Sequence, residues 1–263
     1  MSHKALRVLV AMSAVNAVLT LAFPSALVAL FFLPELSSAL RWLAVFSLFS
    51  IGVYCYTILG LRRYLATACG FDGASRALAV HAGLSAGFGV ALLVGWGVLR
   101  LGSSDSALSW TLGLTVLGFF LLAGIAIGVL ELLIGLALGQ ATAEGYGLLG
   151  PIRVNFLILG ISNLVSIVLG VTVVVGVVAY AVVSILLFLL FRAAWREGSG
   201  RLPEGFRYGK RWLAAVAVAL IAVSVPTAVA IQQLRTLFQE EEFEVLEEES
   251  EEFPEPLSEP DLR

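Results

Sequence analysis

Residues 154–191 run for 38 positions without a charged side chain. As a single helix this run would be about 57 Å long, nearly twice the ~30 Å hydrocarbon core of a bilayer. It therefore reads either as two membrane spans or as one span preceded by a helix lying in the interface. Borrowing residues back to Leu148 gives two helices, 148–168 and 172–191, with Gly170 in the turn. Residues 170–175 read Gly-Val-Thr-Val-Val-Val, and β-branched residues are poor turn formers.

Further apolar runs cover 6–33 (interrupted by Pro24), 39–61 (Arg41 at its edge), 77–99, 108–138 and 212–231 (with Pro226). The first begins like a signal peptide, with Lys4 and Arg7 before an apolar stretch. It continues through Phe31-Phe32-Leu33, too long for a typical leader core, and is read here as a retained span. The chain is 59% hydrophobic and 13% charged, against about 45–50% and 25% in soluble domains. There are no ten-residue alternating segments of the kind that build membrane barrels. The expected fold is an all-α polytopic transmembrane helical bundle over 1–238, followed by a tail, 239–263, read as acidic and disordered.

Loop charge chooses between seven spans and six. With seven spans and the N-terminus inside, Lys4, Arg7, Arg62, Arg63, Arg76, Arg153, Arg192, Arg196, Arg201, Arg207, Lys210 and Arg211 are cytoplasmic. Near the spans, only Arg41, Arg100 and Arg235 then lie outside. With six spans the bias disappears. The positive-inside rule therefore prefers seven, with six as the alternative. The tail holds eleven Glu, Asp261 and Arg263, and its charge makes it a candidate contact for a protein partner. Fourteen Arg against two Lys suits a GC-rich genome, and the expected location is the plasma membrane of a prokaryote.

Small residues mark two helix faces. Ala79, Gly83, Gly87, Ala91 and Gly95 recur every fourth residue, a spacing that lets another membrane helix approach closely. In the next span Gly113, Gly124, Gly128, Gly135 and Gly139 fall with Glu131 in an arc of about 80°. Glu131 is the one acidic residue well inside a predicted span. A carboxylate in hydrocarbon is costly, so it should face protein or a wet cavity, as a proton or cation site or as a hydrogen-bonded tie between helices. Asn155, Ser162, Asn163 and Ser166 share an arc of about 100° on the following helix, with Arg153 pointing away. Glu131 is expected to meet that face, with Asn155 or Ser162 as its partner. His81 lies opposite the glycines of its own helix and reads as a satisfied polar residue.

The chemistry available is otherwise sparse. Two histidines and two cysteines supply no usual metal set, and no cofactor is expected. The match to G-x-G-x-x-G at 145–150 is followed by Pro151 and lacks the strand that a dinucleotide fingerprint needs. No catalytic set is legible, and nothing suggests nucleic acid. The basic segment 192–211, flanked by Trp195 and Trp212, suits contact with anionic lipid head groups. The leading reading is a non-enzymatic membrane subunit or scaffold packing through glycine faces. The alternative is a small proton- or cation-linked transporter using Glu131, and a membrane-embedded enzyme comes third.

Overall fold

The computed structural model describes residues 2–30, 36–101, 106–143, 149–169, 173–198, 206–226, 228, 229 and 232. The acidic tail and the glycines at 145 and 147 lie outside them. The described residues are helical and contain no strand. In chain order the helices are α1 (His3–Leu30), α2 (Leu36–Tyr64), α3 (Ser75–Leu101), α4 (Ser106–Ala143), α5 (Gly150–Leu169) and α6 (Val173–Arg196). The last is α7, over 210–226. Four described helical segments are long and apolar enough to cross a membrane: His3–Ala26, Val45–Cys69, Leu121–Thr142 and Val174–Arg196.

The 38-residue run is broken, and its halves pack side by side as α5 and α6. Pro24 does not interrupt α1. The turn after α2 is built locally. A π-helical turn, Leu65–Cys69, carries the chain to Gly70, whose left-handed φ of 64° lets its N–H return to the Leu65 carbonyl. A side chain at position 70 would strain that conformation. Arg62 Nε then donates to Ser75 Oγ at 2.8 Å, holding the start of α3 against the end of α2.

The helices form a ring. α1 packs on α2, α2 on α3, and so on to α6, which returns to α1. Neighbours run antiparallel. Phe23 stacks on Phe46 at 6.1 Å while Leu9 fills the space over Gly60, which orients α1 against α2. His3 meets Trp195 at 5.9 Å, and Asn16 bonds Ser184, which orients α1 against α6. α7 buries a four-residue-spaced stripe, Ala215, Ala219 and Val223. Between α6 and α7, Tyr208 donates to the Leu186 carbonyl at 3.1 Å. Burial pushes the Tyr208 phenol well above its usual range.

Candidate functional site: a buried His–Glu–Asn cluster

Three consecutive helices of the ring each contribute one polar side chain to a single point. Glu131 of α4 is 3% exposed and His81 of α3 is 1% exposed. His81 Nε2 lies 3.3 Å from Glu131 Oε1. Asn163 of α5 donates its amide to Glu131 Oε2 at 2.6 Å. Each carboxylate oxygen thus has its own partner, and the two partners fix the plane of the carboxyl group between them.

The packing of α4 on α5 explains how Asn163 arrives there. A methyl at Gly128 would meet Leu164 and the Gly160 carbonyl at 3.1–3.2 Å. One at Gly135 would meet Leu157 at 2.7 Å, and one at Gly139 the Arg153 guanidinium at 2.9 Å. The face of α5 against α4 is therefore Arg153, Leu157, Gly160 and Leu164. The polar arc of α5 lies to one side of this contact, and only Asn163, at its edge, reaches the acid. Asn155 turns its amide to the Pro151 carbonyl at 2.8 Å within its own helix. Ser162 sits against Gly176 of α6, its Oγ 3.0 Å from where a methyl there would stand. The partner of Glu131 is thus found eight residues beyond Asn155. By sequence the first helix ends near Gly139 and the second begins near Leu148, whereas α4 continues to Ala143 and Gly139 stands level with Arg153.

The two glycine faces end differently. Gly128, Gly135 and Gly139 are filled by α5, while Gly124 meets nothing within 4 Å. In α3 a methyl added at Gly83 or Gly87 would also meet nothing within 4 Å, and Gly83 is exposed. Gly95 is helical. The face of α3 that packs inward carries Leu78, His81, Ala82, Ser85 and Gly89, the last against Ile51 and Leu48 of α2.

Beyond the acid, the ring interior is lined by groups that sequence reasoning did not single out. Tyr54 of α2 stands edge-on to His81 at 5.7 Å and to Tyr180 of α6 at 4.8 Å. Thr20 of α1 makes a side-chain hydrogen bond with Tyr180. Asn16 donates to Ser184 Oγ at 2.9 Å. The polar and aromatic groups run from α1 to α5 through every helix of the ring. The available signal was the trio Ser13, Asn16 and Thr20, spaced three and four apart in an otherwise apolar span, and all buried here. The interior tyrosines carried a misleading signal, because tyrosine in a membrane helix is expected at the interface.

Two polar atoms of this interior have no hydrogen-bond partner among the described residues: His81 Nδ1 and the Tyr54 hydroxyl. Both are buried beside the acid. No three His, Cys, Asp or Glu among the described residues converge to hold a metal ion. Cys55 donates to the Ala82 carbonyl at 3.2 Å, and neither cysteine is in a disulfide. Comparison with protein-family models, with curated proteins and with solved structures finds no match to this chain.

Proposed function

We propose that the chain is a multi-pass integral membrane protein of seven spans, N-terminus inside, that carries protons through the His81–Glu131–Asn163 cluster. On this reading it is a small proton- or cation-linked transporter.

The distribution of surface supports the membrane. Val18, Leu122 and Ile221 are 65–70% exposed on the outside of the helices, while His81, Glu131 and Asn155 are buried within. A soluble fold does the reverse. The up-and-down ring supports the span count. It gathers Arg62, Arg153 and Arg192 at the end where His3 meets Trp195, as the positive-inside rule asks of a cytoplasmic face.

The observation that carries the transport reading is the unpaired second nitrogen of His81. An imidazole can take a proton at one nitrogen and release it from the other. Here Nε2 faces the carboxyl and Nδ1 is buried with no partner among the described residues. A proton passed from Glu131 to Nε2, while Nδ1 gives its own to a water molecule entering the ring interior, leaves the carboxylate held by Asn163. The reverse passage reloads the acid. An unpaired buried polar atom costs about 1–3 kcal/mol, and a relay role gives the bare Nδ1 a use.

The test is flux. Purified protein in liposomes with an entrapped pH-sensitive dye is expected to dissipate an imposed pH gradient. Glu131→Gln keeps the hydrogen-bonding shape and is expected to fold yet lose at least about tenfold in rate, as removal of a proton-transfer group does. A wild-type rate equal to that of empty liposomes, or a folded Glu131→Gln at the wild-type rate, refutes the transport reading.

The open glycine face of α3 favours a second reading, a non-enzymatic subunit that packs on another membrane helix there and recruits a protein partner through its acidic tail. Cysteine introduced at Gly83 would then crosslink to that neighbour in native membranes.

A further inference from the structure

We propose that the end of the bundle near Trp195 carries a binding site for a phosphate group, and that its occupant is the head group of an anionic phospholipid. The site is a cavity of about 530 Å³ between the last turns of α6 and the segment leading into α7, a size within the ~300–1,000 Å³ range of small-ligand pockets. Arg192 and Arg196, one turn apart on α6, and Arg211, at the start of α7, all line it. One carboxylate, Glu197, lines it too, so the wall carries a net charge of two positives. None of the three arginines forms an ion pair among the described residues. Arg192 rests instead over the Phe188 ring at 5.8 Å.

A guanidinium offers a planar fork of N–H donors that matches phosphate oxygens. Three of them around one hollow, short of carboxylate, leave room for a doubly or singly charged oxyanion. The rest of the wall says which kind. Leu189 and Phe206 line the same cavity, which gives it an apolar side as well as a cationic one. A free phosphate uses only the second, whereas a phospholipid uses both, with its phosphodiester on the arginines and its glycerol and upper chain against Leu189 and Phe206. The two polypeptide arms of the hollow are set by glycine. Gly198, at φ 68°, ends α6 two residues after Arg196, and Gly209, at φ 49°, precedes α7 two residues before Arg211. Burial of Tyr208 between them fixes the α7 arm.

The inference rests on membrane insertion but is independent of the His81–Glu131 site. Resistance of the protein to carbonate extraction reports insertion separately. The experiment is native mass spectrometry of the full chain in detergent, titrated with phosphatidylglycerol, phosphatidylcholine or inorganic phosphate. The triple variant Arg192→Gln/Arg196→Gln/Arg211→Gln is compared with Arg207→Gln/Lys210→Gln, which removes charge from the same segment without touching the cavity. Phosphatidylglycerol is expected to bind at least about tenfold more weakly to the triple variant, and to the control pair nearly as it does to wild type. Size-exclusion profiles confirm that both variants are folded, since the substituted residues are exposed. Equal losses in the two variants would reduce the site to diffuse charge and overturn the proposal. So would equal affinity for phosphatidylcholine. Binding of inorganic phosphate that displaces the lipid at low millimolar concentration would reassign the occupant to a soluble anion and overturn the lipid assignment.

Discussion

α3 and α4 carry the same two ingredients, a helix face of small residues and one ionisable side chain well inside the apolar run, and use them in opposite ways. In α4, Glu131 lies in the same arc as Gly128, Gly135 and Gly139, so the surface that lets α5 approach is also the surface that presents the acid. In α3, His81 lies opposite Gly83 and Gly87, and the helix cannot turn both inward. The polar side wins, and the glycines face out. The energies explain the choice. An imidazole left in hydrocarbon costs several kcal/mol, whereas an unfilled glycine groove forfeits only dispersion contacts worth about 0.1–0.2 kcal/mol per atom pair. A stripe of small residues therefore predicts a helix contact only when no polar residue on the same helix competes for the direction.

The largest expected effect comes from removing the acid from the α4 face. Glu131→Leu leaves Asn163 and Nε2 of His81 without their partner in a buried contact, each at about 1–3 kcal/mol. Unfolding in mixed detergent micelles should fall by about 3 kcal/mol, well beyond the change for Glu131→Gln. Equal losses for Leu and Gln would mean that shape rather than hydrogen bonding holds this junction.

A smaller effect is expected from closing the approach itself. A methyl at Gly160 would stand 2.7 Å from the Gly128 carbonyl oxygen and 2.8 Å from the Leu132 nitrogen, both of them backbone atoms that no rotamer change moves. Gly160→Ala should destabilise by about 2 kcal/mol and weaken the Asn163 contact as α5 moves away. Retention of full stability would show that the two helices slide freely on each other.

The smallest effect is expected on the outward face of α3. Gly83→Ala with Gly87→Ala adds two methyls that meet nothing within 4 Å. Alanine favours a helix over glycine by about 1 kcal/mol, so the isolated protein should be unchanged or slightly more stable in the same unfolding assay. A marked loss would place an unseen helix, such as one from a second copy, on that face.

The legible parts of this fold were those set by long-range composition. The helix ends fall close to the apolar runs because hydrophobic length alone marks them. The break between α5 and α6 was suggested by the arginines on either side of the hairpin, against the poor turn chemistry of residues 170–175. The site was harder to read. Glu131 stood out because one carboxylate in an apolar run is conspicuous, but its partners depend on register and rotation. Register was lost at the end of α4, which runs to Ala143 rather than stopping near Gly139. Rotation was lost on α5, where Arg153 and Gly160, not the Asn155 face, pack on α4. His81 was set aside because it lay off the glycine face, the very position from which it reaches the acid.

The closure of the ring also sets a schedule for how the protein is made. Asn16 of α1 finds its partner Ser184 only 168 residues later in the chain. At synthesis rates of about 5–20 residues per second, that is roughly 10–30 s. The hairpin of α4 and α5 finds its contacts within a few seconds of emerging, because its partners are consecutive in the chain. The hydroxyls of Ser13 and Thr20 bond carbonyls of their own helix, but the Asn16 amide must wait for Ser184 until the sixth helix arrives. The ring can therefore close only when its sixth wall has been made and returns to the first.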